Sequence, residues 1–277
     1  MPFAHASGAR VYYRVHADPG ERTPLVLIRG MGRFSDHWGP LIDALARDFC
    51  LVTLDNRGTG RSEPGGRGYS TSDLAADVVA VMADAGIEQA DVFGMSLGGM
   101  IAQRVALDHP RRVRRLVLGC TTAGGRRSPR GRLYPFARIA AARIGGDPRR
   151  AVMAEARFIL TAGFLEHHHD LIARWVELRR SFPVSTSTAL RQVAAALRHD
   201  VHAQLDSIQH PTLVLSAPSD PLVPAANARL LARAIPRAEL AWISPASHDF
   251  TTERPEEVAR RLRLFLQCSA SMPQKRE

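Results

Sequence analysis

Short apolar runs alternate with amphipathic stretches along the first half of the chain. Continuous apolar runs are typical of strands that are buried on both faces of a sheet. The stretches between them repeat apolar residues at helical spacing, as Leu74, Val78 and Met82 do. This alternation predicts a parallel sheet with helices on both faces and functional loops at the carboxyl ends of the strands. The predicted strands are residues 24–28, 50–54, 90–93 and 113–119, and the predicted helices are 36–47, 71–85 (with Thr71 or Ser72 as N-cap) and 99–108.

The two ends of the chain extend this pattern. The N-terminal residues favour a hairpin at the sheet edge, with a turn at Ser7 and Gly8. Strand and helix patterns also alternate in the last quarter of the chain, before a polar tail that we expect to be frayed. These predictions cover residues 3–16 for the hairpin, 211–216 and 239–243 for strands, 227–234 and 255–266 for helices, and 269–277 for the tail.

Between these regions the alternation stops, and consecutive helical stretches follow without a strand pattern. Because this block follows the carboxyl end of a predicted strand, we expect residues 124–206 to form a helical cap over the sheet edge. Residues 1–123 and 207–277 then form the core. The predicted cap helices are residues 134–143, 148–161, 164–180 and 187–198.

The large apolar residues of the predicted cap have two interpretations. They could line a hydrophobic substrate pocket, or they could pack the cap onto the core, which is the commoner role of any one such residue. The residues in question are Phe136, Phe158, Leu160, Phe164, Leu165, Trp175 and Phe182.

Composition narrows the class of protein. Of the 277 residues 45% are hydrophobic, which suits one α/β core with an insertion. We find neither a secretory leader pattern nor an apolar run long enough to span a bilayer, so we expect a cytoplasmic protein without a membrane partner. Cys50, Cys120 and Cys268 are an odd number without metal-type spacing, which favours reduced thiols.

The net charge of +10 comes almost entirely from arginine, in pairs scattered along the chain. Aromatic residues do not interleave with these pairs, so the pattern argues against a nucleic-acid partner. A denser group is formed by Arg126, Arg127, Arg130 and Arg132, and it alone suggests an anionic partner.

Two further patterns suggest a bound metal or cofactor, and neither is specific. The side chains of His167, His168 and His169 diverge by about 100° per residue on a helix, so they cannot all face one metal ion. The pair Gly58 and Gly60 lacks the third glycine and the helix start of a dinucleotide-binding turn. We therefore predict no metal and no cofactor.

Residues 94–98 read Gly-Met-Ser-Leu-Gly, between a predicted strand and the next helix. A serine at such a turn adopts a strained backbone conformation, and glycines on both sides let strand and helix approach each other. The helix N-terminus offers free N–H groups where an oxyanion would form. Ser96 is therefore a candidate nucleophile, with Leu97 N–H and, from the glycine-flanked loop after strand 24–28, Met31 N–H as the predicted oxyanion hole.

A serine hydroxyl needs a base, and the base needs an anion to orient it. Only His248 of the eleven histidines lies beyond the last predicted strand, and Asp220 follows the strand before it. Asp249 is the alternative acid, although a sequence neighbour rarely reaches the imidazole from the required side. We predict a triad of Ser96, Asp220 and His248, while a helix-capping role for Asp220 and a structural role for His248 stay open.

Three motifs give the chain a family resemblance: Gly-Met-Ser-Leu-Gly-Gly-Met at 94–100, Asp-x-Arg-Gly-x-Gly-x-Ser at 55–62, and Leu-Asp-His-Pro-Arg-Arg-Val at 107–113. Over essentially its whole length the chain resembles the α/β-hydrolase superfamily, in particular small esterases, 3-oxoadipate enol-lactonases and cofactor-free haloperoxidases. The resemblance implies an eight-stranded, mostly parallel sheet with a helical cap after the sixth strand. Arg29 stands where relatives often carry a histidine before the oxyanion-loop glycine, and we expect this departure to change the shape or charge of the entrance but not the backbone donors.

The triad and the resemblance predict a serine hydrolase that cleaves a carboxylic ester, lactone or thioester through an acyl-enzyme. The same triad is compatible with carbon–carbon bond hydrolysis, acyl transfer or cyclisation. A non-catalytic ligand-binding module is a third possibility, against which the intact triad argues. The expected partner is a small hydrophobic substrate, and the sequence leaves a homodimer open.

Overall fold

Eight strands form one mixed sheet in the computed structural model, which describes residues 2–6, 8–17, 22–66, 69–131, 133–143 and 146–267. The strand order is β1-β2-β4-β3-β5-β6-β7-β8; β2 pairs antiparallel with β1 and β4, and the other neighbours are parallel. The mostly parallel sheet is confirmed. The strands are β1 Phe3–Ala6, β2 Ala9–Val15, β3 Pro24–Ile28, β4 Cys50–Leu54, β5 Ala90–Met95, β6 Val113–Gly119, β7 Thr212–Ser216 and β8 Ala238–Trp242.

Helices cover both faces of this sheet, and the described residues form the following α-helices. They are α1 Pro40–Leu45, α2 Thr71–Asp84, α3 Leu97–Asp108, α4 Leu133–Arg143, α5 Pro148–Ile159, α6 Ala162–His167, α7 His169–Ser181, α8 Thr186–Arg198, α9 Ala226–Ala234, α10 Phe250–Glu253 and α11 Pro255–Leu266. Among the described residues, none of these helices combines the length and the apolar character that crossing a membrane requires.

Three helix predictions need correction. The predicted helix at 36–47 is a 3-10 turn at Ser35–Trp38 followed by α1, because Gly39 has a φ of 39° and interrupts the helix. The predicted helix at 164–180 is divided at His168, whose φ of −127° and ψ of 49° are not helical. The N-cap of α2 is Ser70, one residue before the predicted pair: its hydroxyl accepts from Asp73 N–H, and the Asp73 carboxylate accepts from Ser70 N–H.

The sheet separates two apolar layers. Val26 and Ile28 of β3 face one layer, which α2, α3 and α9 cover, and Leu25 and Leu27 face the other, which α1 and α11 cover. Successive side chains of a strand point to opposite faces of the sheet. A strand whose two faces are both covered by an apolar layer is therefore apolar at every position. This explains why the central strands are continuous apolar runs.

Helices α4–α8 all lie between β6 and β7, inside the segment 124–206 that the sequence assigns to a cap. Trp175 and Leu160 pack in a buried cluster with Phe34 and Leu222, which belong to loops of the sheet. Phe158, Phe164, Leu165 and Phe182 are partly buried against this cluster. The packing interpretation therefore holds for part of the large apolar residues of the predicted cap. The side chain of Phe136 lies outside the described residues. The function of the segment as a cap stays a prediction.

Several surface predictions have simple structural outcomes. Arg126, Arg127 and Arg130 are exposed, whereas Arg132 lies outside the described residues, as do Ser7, Cys268 and the tail 269–277. Cys50 and Cys120 are both buried, and no disulfide involves them within the described chain. Neither cysteine is therefore presented at the surface.

Candidate active site

The turn between β5 and α3 holds Ser96 in a backbone conformation that side chains rarely adopt. Its φ is 57° and its ψ is −119°. A residue in such a region costs about 1–3 kcal/mol and persists only where its surroundings fix it. Here Ser96 N–H donates to Gly119 O at 2.8 Å, and Thr121 Oγ1 donates to Ser96 O at 2.7 Å. The end of β6 and the loop that follows it thus hold the serine at the carboxyl edge of the sheet.

The glycines at 94 and 98 have a steric reason. A Cβ on Gly94 would lie 2.0 Å from Gly98 O, and a Cβ on Gly98 would lie 2.1 Å from Ile28 O. Real Cβ atoms do not approach backbone oxygens so closely, so any side chain at either position would push the start of α3 away from β3 and β5. The glycines keep Ser96 close to the loop after β3.

We expect Gly98→Ala to destabilise the protein by at least ~2 kcal/mol, because the added methyl group overpacks a site where only backbone can yield. The measurement is urea unfolding of the variant and the parent. Gly163→Ala is the matched control, since a Cβ on Gly163 in α6 meets nothing within 4 Å. Equal stability of Gly98→Ala and the parent would contradict the close approach at this turn.

Asp220 and His248 form a hydrogen-bonded pair. Asp220 follows β7 and His248 follows β8, and the distance from His248 Nδ1 to Asp220 Oδ2 is 2.7 Å. A carboxylate only accepts hydrogen bonds, so the proton lies on Nδ1 and the other ring nitrogen of a neutral imidazole has a free lone pair. The second carboxylate oxygen of Asp220 accepts from the N–H groups of Leu222 and Val223. Asp220 therefore stabilises its own turn as well as orienting the imidazole.

The pair shifts both of its pKa values toward the charged forms. Burial raises the pKa of Asp220, but the attraction and hydrogen bond of His248 and two backbone N–H groups outweigh it, and the pKa is lowered. Burial lowers the pKa of His248, but the charge and hydrogen bond of Asp220 outweigh it, and the pKa is raised. An imidazole with a raised pKa is a stronger base for a hydroxyl proton.

Ser96, Asp220 and His248 all follow carboxyl ends of parallel strands, β5, β7 and β8, and so lie at the same edge of the sheet. Among the hydrogen bonds of the described residues, none joins Ser96 Oγ to His248. Nucleophile–base hydrogen bonds are often long before substrate binds and shorten in the reacting complex. The structure thus shows the hydrogen bond between Asp220 and His248. Ser96 lies at the same edge of the sheet, but its hydroxyl is not hydrogen-bonded to His248 in the structure.

The two predicted oxyanion donors have their N–H groups available. Leu97 is the first residue of α3, and within the described residues no backbone or side-chain group accepts a hydrogen bond from the N–H of Leu97 or of Met31. The loop of Met31 lies against the serine: a Cβ on Gly30 would meet Ser96 Cβ at 3.1 Å. The loop is fixed further along by Gly32 N–H, which donates to Gln192 Oε1 of α8 at 2.9 Å.

Arg29 and Asp249 form a buried ion pair that the sequence reasoning missed. Arg29 was expected to affect the entrance, yet it is 2% exposed and makes two hydrogen bonds to the Asp249 carboxylate, at 3.0 and 3.1 Å. Burial would raise the pKa of Asp249, but the guanidinium groups of Arg29 and Arg33 hold it well below its usual range. Asp249, the alternative acid, is therefore occupied by Arg29, while Asp220 contacts His248.

Cys120 is a second neighbour that no motif indicated. It follows β6 with a φ of 39°, and the ligand atoms of Cys120, Asp220 and His248 lie within 4.8 Å of one another. Burial, and then the charge of Asp220, raise the pKa of the Cys120 thiol well above its ordinary value. A metal would need the thiolate and would compete with the Asp220–His248 hydrogen bond, so these residues do not fit a resident metal.

The three consecutive histidines do not share one helix. His167 and His169 belong to different helices, because α6 ends and α7 begins around His168. His167 Nδ1 lies 2.8 Å from Gly163 O, and all three side chains are exposed. The described residues contain no group of metal-type ligands around them.

The helical segment between β6 and β7 touches both sides of this edge. Ile159 O at the end of α5 accepts from Asp249 N–H at 2.8 Å, and Gln192 of α8 contacts the loop of Met31. The sequence did not indicate a role for Glu253 of α10, whose carboxylate accepts hydrogen bonds from Ser247 N–H and from Thr161 N–H. The segment is thus attached directly to the histidine loop and to the loop after β3.

Comparison with known proteins agrees with this architecture. A family model of the alpha/beta hydrolase fold matches residues 23–255. A putative carbamate hydrolase, RutD, of Azorhizobium caulinodans is 34% identical over 263 residues, which cover 92% of this chain and 94% of the relative. The chain belongs to the alpha/beta hydrolase family.

Similar solved structures include an enol-lactonase and an esterase. The enol-lactonase from Burkholderia xenovorans LB400 has a TM-score of 0.85 and 26% identity, covering 96% of this chain and 100% of that one. The esterase RhEst1 from Rhodococcus sp. ECU1013 has a TM-score of 0.82 and 26% identity, covering 97% and 99%. The chain is a hydrolase of this fold, similar to esterases and enol-lactonases.

Proposed function

We propose that the protein is a serine hydrolase that cleaves a carboxylic ester, lactone or thioester through an acyl-enzyme. The observation that carries the proposal is the buried Asp220–His248 hydrogen bond of 2.7 Å at the same sheet edge as the strained Ser96. A carboxylate that orients an imidazole at the same sheet edge as a serine hydroxyl supports nucleophilic acyl transfer, which needs these three groups together.

The reaction begins when Ser96 Oγ attacks the carbonyl carbon and His248 takes the hydroxyl proton on its free ring nitrogen. Asp220 keeps the other ring proton in place and stabilises the imidazolium that forms. The N–H groups of Leu97 and Met31 donate to the carbonyl oxygen as it becomes negative. His248 then gives the proton to the leaving alcohol or thiol, the bond to it breaks, and Ser96 carries the acyl group.

Water completes the cycle by the same route. His248 takes a proton from the water molecule, the resulting hydroxide attacks the acyl carbon, and the N–H groups again stabilise the oxyanion. The bond to Ser96 Oγ breaks as His248 returns the proton to the serine. A carboxylic acid is released and the enzyme is restored.

We infer a small hydrophobic substrate. Phe158 and Phe182 of the helical segment are partly buried, and the Phe182 ring meets Phe34, just beyond the oxyanion loop, at 5.4 Å between ring centres. Apolar rings beside a few polar donors are typical of small-molecule pockets. The enol-lactonase and esterase similarities support an ester bond in the substrate.

A carbamate is the second candidate substrate, and one specific observation favours it. The relative at 34% identity is described as a putative carbamate hydrolase. A carbamate carbonyl can react through the same nucleophile, base and oxyanion donors, so this triad is compatible with both bonds. The leaving group and the acyl group then decide the specificity.

A substrate panel separates these candidates. We expect short-chain p-nitrophenyl esters, enol-lactones and thioesters to be hydrolysed with kcat/KM at least ~10-fold above matched carbamates and diketones. Products are identified by mass spectrometry, so that acyl transfer and carbon–carbon cleavage are recognised. Ser96→Ala serves as the blank for each compound. Turnover of the carbamate alone would favour the second candidate, and turnover of the diketone alone would contradict ester cleavage.

A further inference from the structure

The ion pair of Arg29 and Asp249 joins two loops of the candidate site that are 220 residues apart in sequence. Arg29 lies two residues before Met31, with Gly30 between them, and Asp249 directly follows His248. Adjacent Cα atoms are about 3.8 Å apart, so a displacement of Asp249 moves His248 with it, and a displacement of Arg29 is passed to Met31 through one intervening glycine. The pair therefore connects the predicted oxyanion donor to the predicted base.

Arg29 is held in one orientation by several partners. One terminal nitrogen donates to Asp249 and to Thr251 Oγ1 at 3.0 Å, and the other donates to Asp249 and to His37 O at 2.6 Å. Its guanidinium lies 4.5 Å from the ring centre of Trp38. Two parallel hydrogen bonds between guanidinium and carboxylate fix an angle as well as a distance.

Asp249 is held equally well from its own side. Thr251 Oγ1 donates to Asp249 Oδ1 at 2.7 Å, and Asp249 N–H donates to Ile159 O of α5. The residue is 4% exposed. Three parts of the protein meet here: the loop after β3, the histidine loop and the end of α5.

We propose that Arg29 and Asp249 are positioning residues that keep the oxyanion donor Met31 and the base His248 in register with Ser96. The inference rests on the proposed function of that triad. Catalytic groups must be held to within about 0.5 Å of the reacting geometry. A displacement of about 1 Å can lower turnover by about 10²-fold.

Stability alone is a weak reason for this pair. Replacing a buried ion pair by apolar residues of similar volume is often neutral or stabilising. The chain also contains a comparison: Arg57 and Asp77 form another buried pair, with Arg57 Nε at 2.6 Å from Asp77 Oδ2, between the loop after β4 and α2. That pair adjoins neither His248 nor the oxyanion loop in sequence.

The charges around His248 make the pH profile of kcat/KM a second readout. A charged pair that only stabilised the fold, away from His248, would not change this profile. The groups that face it are Asp220 from the loop after β7, Cys120 from the loop after β6, Arg29 from the loop after β3, and Asp249 on its own loop. Asp249 favours the protonated imidazole, whereas Arg29 opposes it. Removing the Asp249 charge while Arg29 stays must therefore lower the pKa of His248.

The experiment compares Asp249→Asn, the double variant Arg29→Met with Asp249→Leu, and the control Asp77→Asn. Active sites are titrated with a fluorophosphonate, so kcat refers to folded enzyme. We expect kcat of Asp249→Asn to fall about 10²-fold with little change in KM, and the acid limb of kcat/KM to move to lower pH. The double variant carries no charge at either position; it also loses kcat, and it shows a smaller shift of the acid limb because the two opposing charges are removed together.

Asp77→Asn removes the carboxylate charge that pairs with Arg57, so it loses stability but keeps the parent's kcat per titrated site and its acid limb. If Asp249→Asn does not fold, the double variant decides alone. Parental kcat per site in the folded double variant would overturn the positioning role. Full turnover by Ser96→Ala would instead overturn the proposed triad, so the two failures are distinguishable.

Discussion

Replacing Ser96 by alanine is expected to lower the turnover of p-nitrophenyl acetate by at least about 10⁴-fold. Alanine removes the hydroxyl that attacks the carbonyl and leaves the oxyanion donors in place, so a small residual rate above that in water should remain. The backbone strain is unchanged, because serine and alanine both carry a Cβ at the φ of 57°. The measurement is initial rate under saturating substrate.

Ser70→Ala is the matched control for this substitution. Ser70 caps α2 through its hydroxyl, so its loss should cost about 1 kcal/mol of stability and leave turnover unchanged. Comparing the turnover of the two variants distinguishes the loss of a nucleophile from the general effect of replacing a serine by alanine. If Ser96→Ala kept more than about a tenth of the parent's turnover, the hydroxyl would not be the nucleophile.

Asp220→Asn should have the second largest effect, a loss of about 10⁴-fold in kcat. An asparagine keeps the shape, and its oxygen can still accept from Leu222 N–H and Val223 N–H. Its amide N–H₂, however, would face His248 Nδ1 and donate to it. The ring proton would then move to the other nitrogen, which could no longer take the proton of Ser96.

The same variant should change the pH dependence of kcat/KM. Asp220 raises the pKa of His248 by its charge and its hydrogen bond, so its neutralisation lowers that pKa and moves the acid limb to lower pH. Asp108→Asn, which removes only an ion pair with Arg104 on α3, should alter neither rate nor profile. Unchanged kcat in Asp220→Asn would mean that another group orients the base.

The strands could be predicted from sequence wherever both of their faces are buried. Predicted strands 24–28 and 50–54 coincide with β3 and β4, because continuous apolar runs are the direct result of burial on both faces. The helices were less predictable at their ends. The apolar periodicity continues across Gly39, and the interruption is signalled only by the Gly-Pro pair at 39–40, because proline disfavours helix in the residue before it.

The candidate site was predictable to the extent that its chemistry is local or follows strand order. The glycines around Ser96 mark the turn, and strand order indicates which loops supply Asp220 and His248. The pair of Arg29 and Asp249 has no such signal, since it depends on two side chains meeting across the sheet edge. Cys120 likewise becomes a neighbour of Asp220 only because β6 and β7 are adjacent.

The central claim is that Ser96 is the hydroxyl that His248 activates for acyl transfer. The most direct test is to treat the purified protein with a fluorophosphonate and to map the modified peptide by mass spectrometry, beside His248→Ala under the same conditions. The account predicts one adduct per chain, on Ser96, and much slower labelling of the histidine variant. An adduct on a different residue, or esterase turnover by a protein that the probe leaves unlabelled, would contradict it.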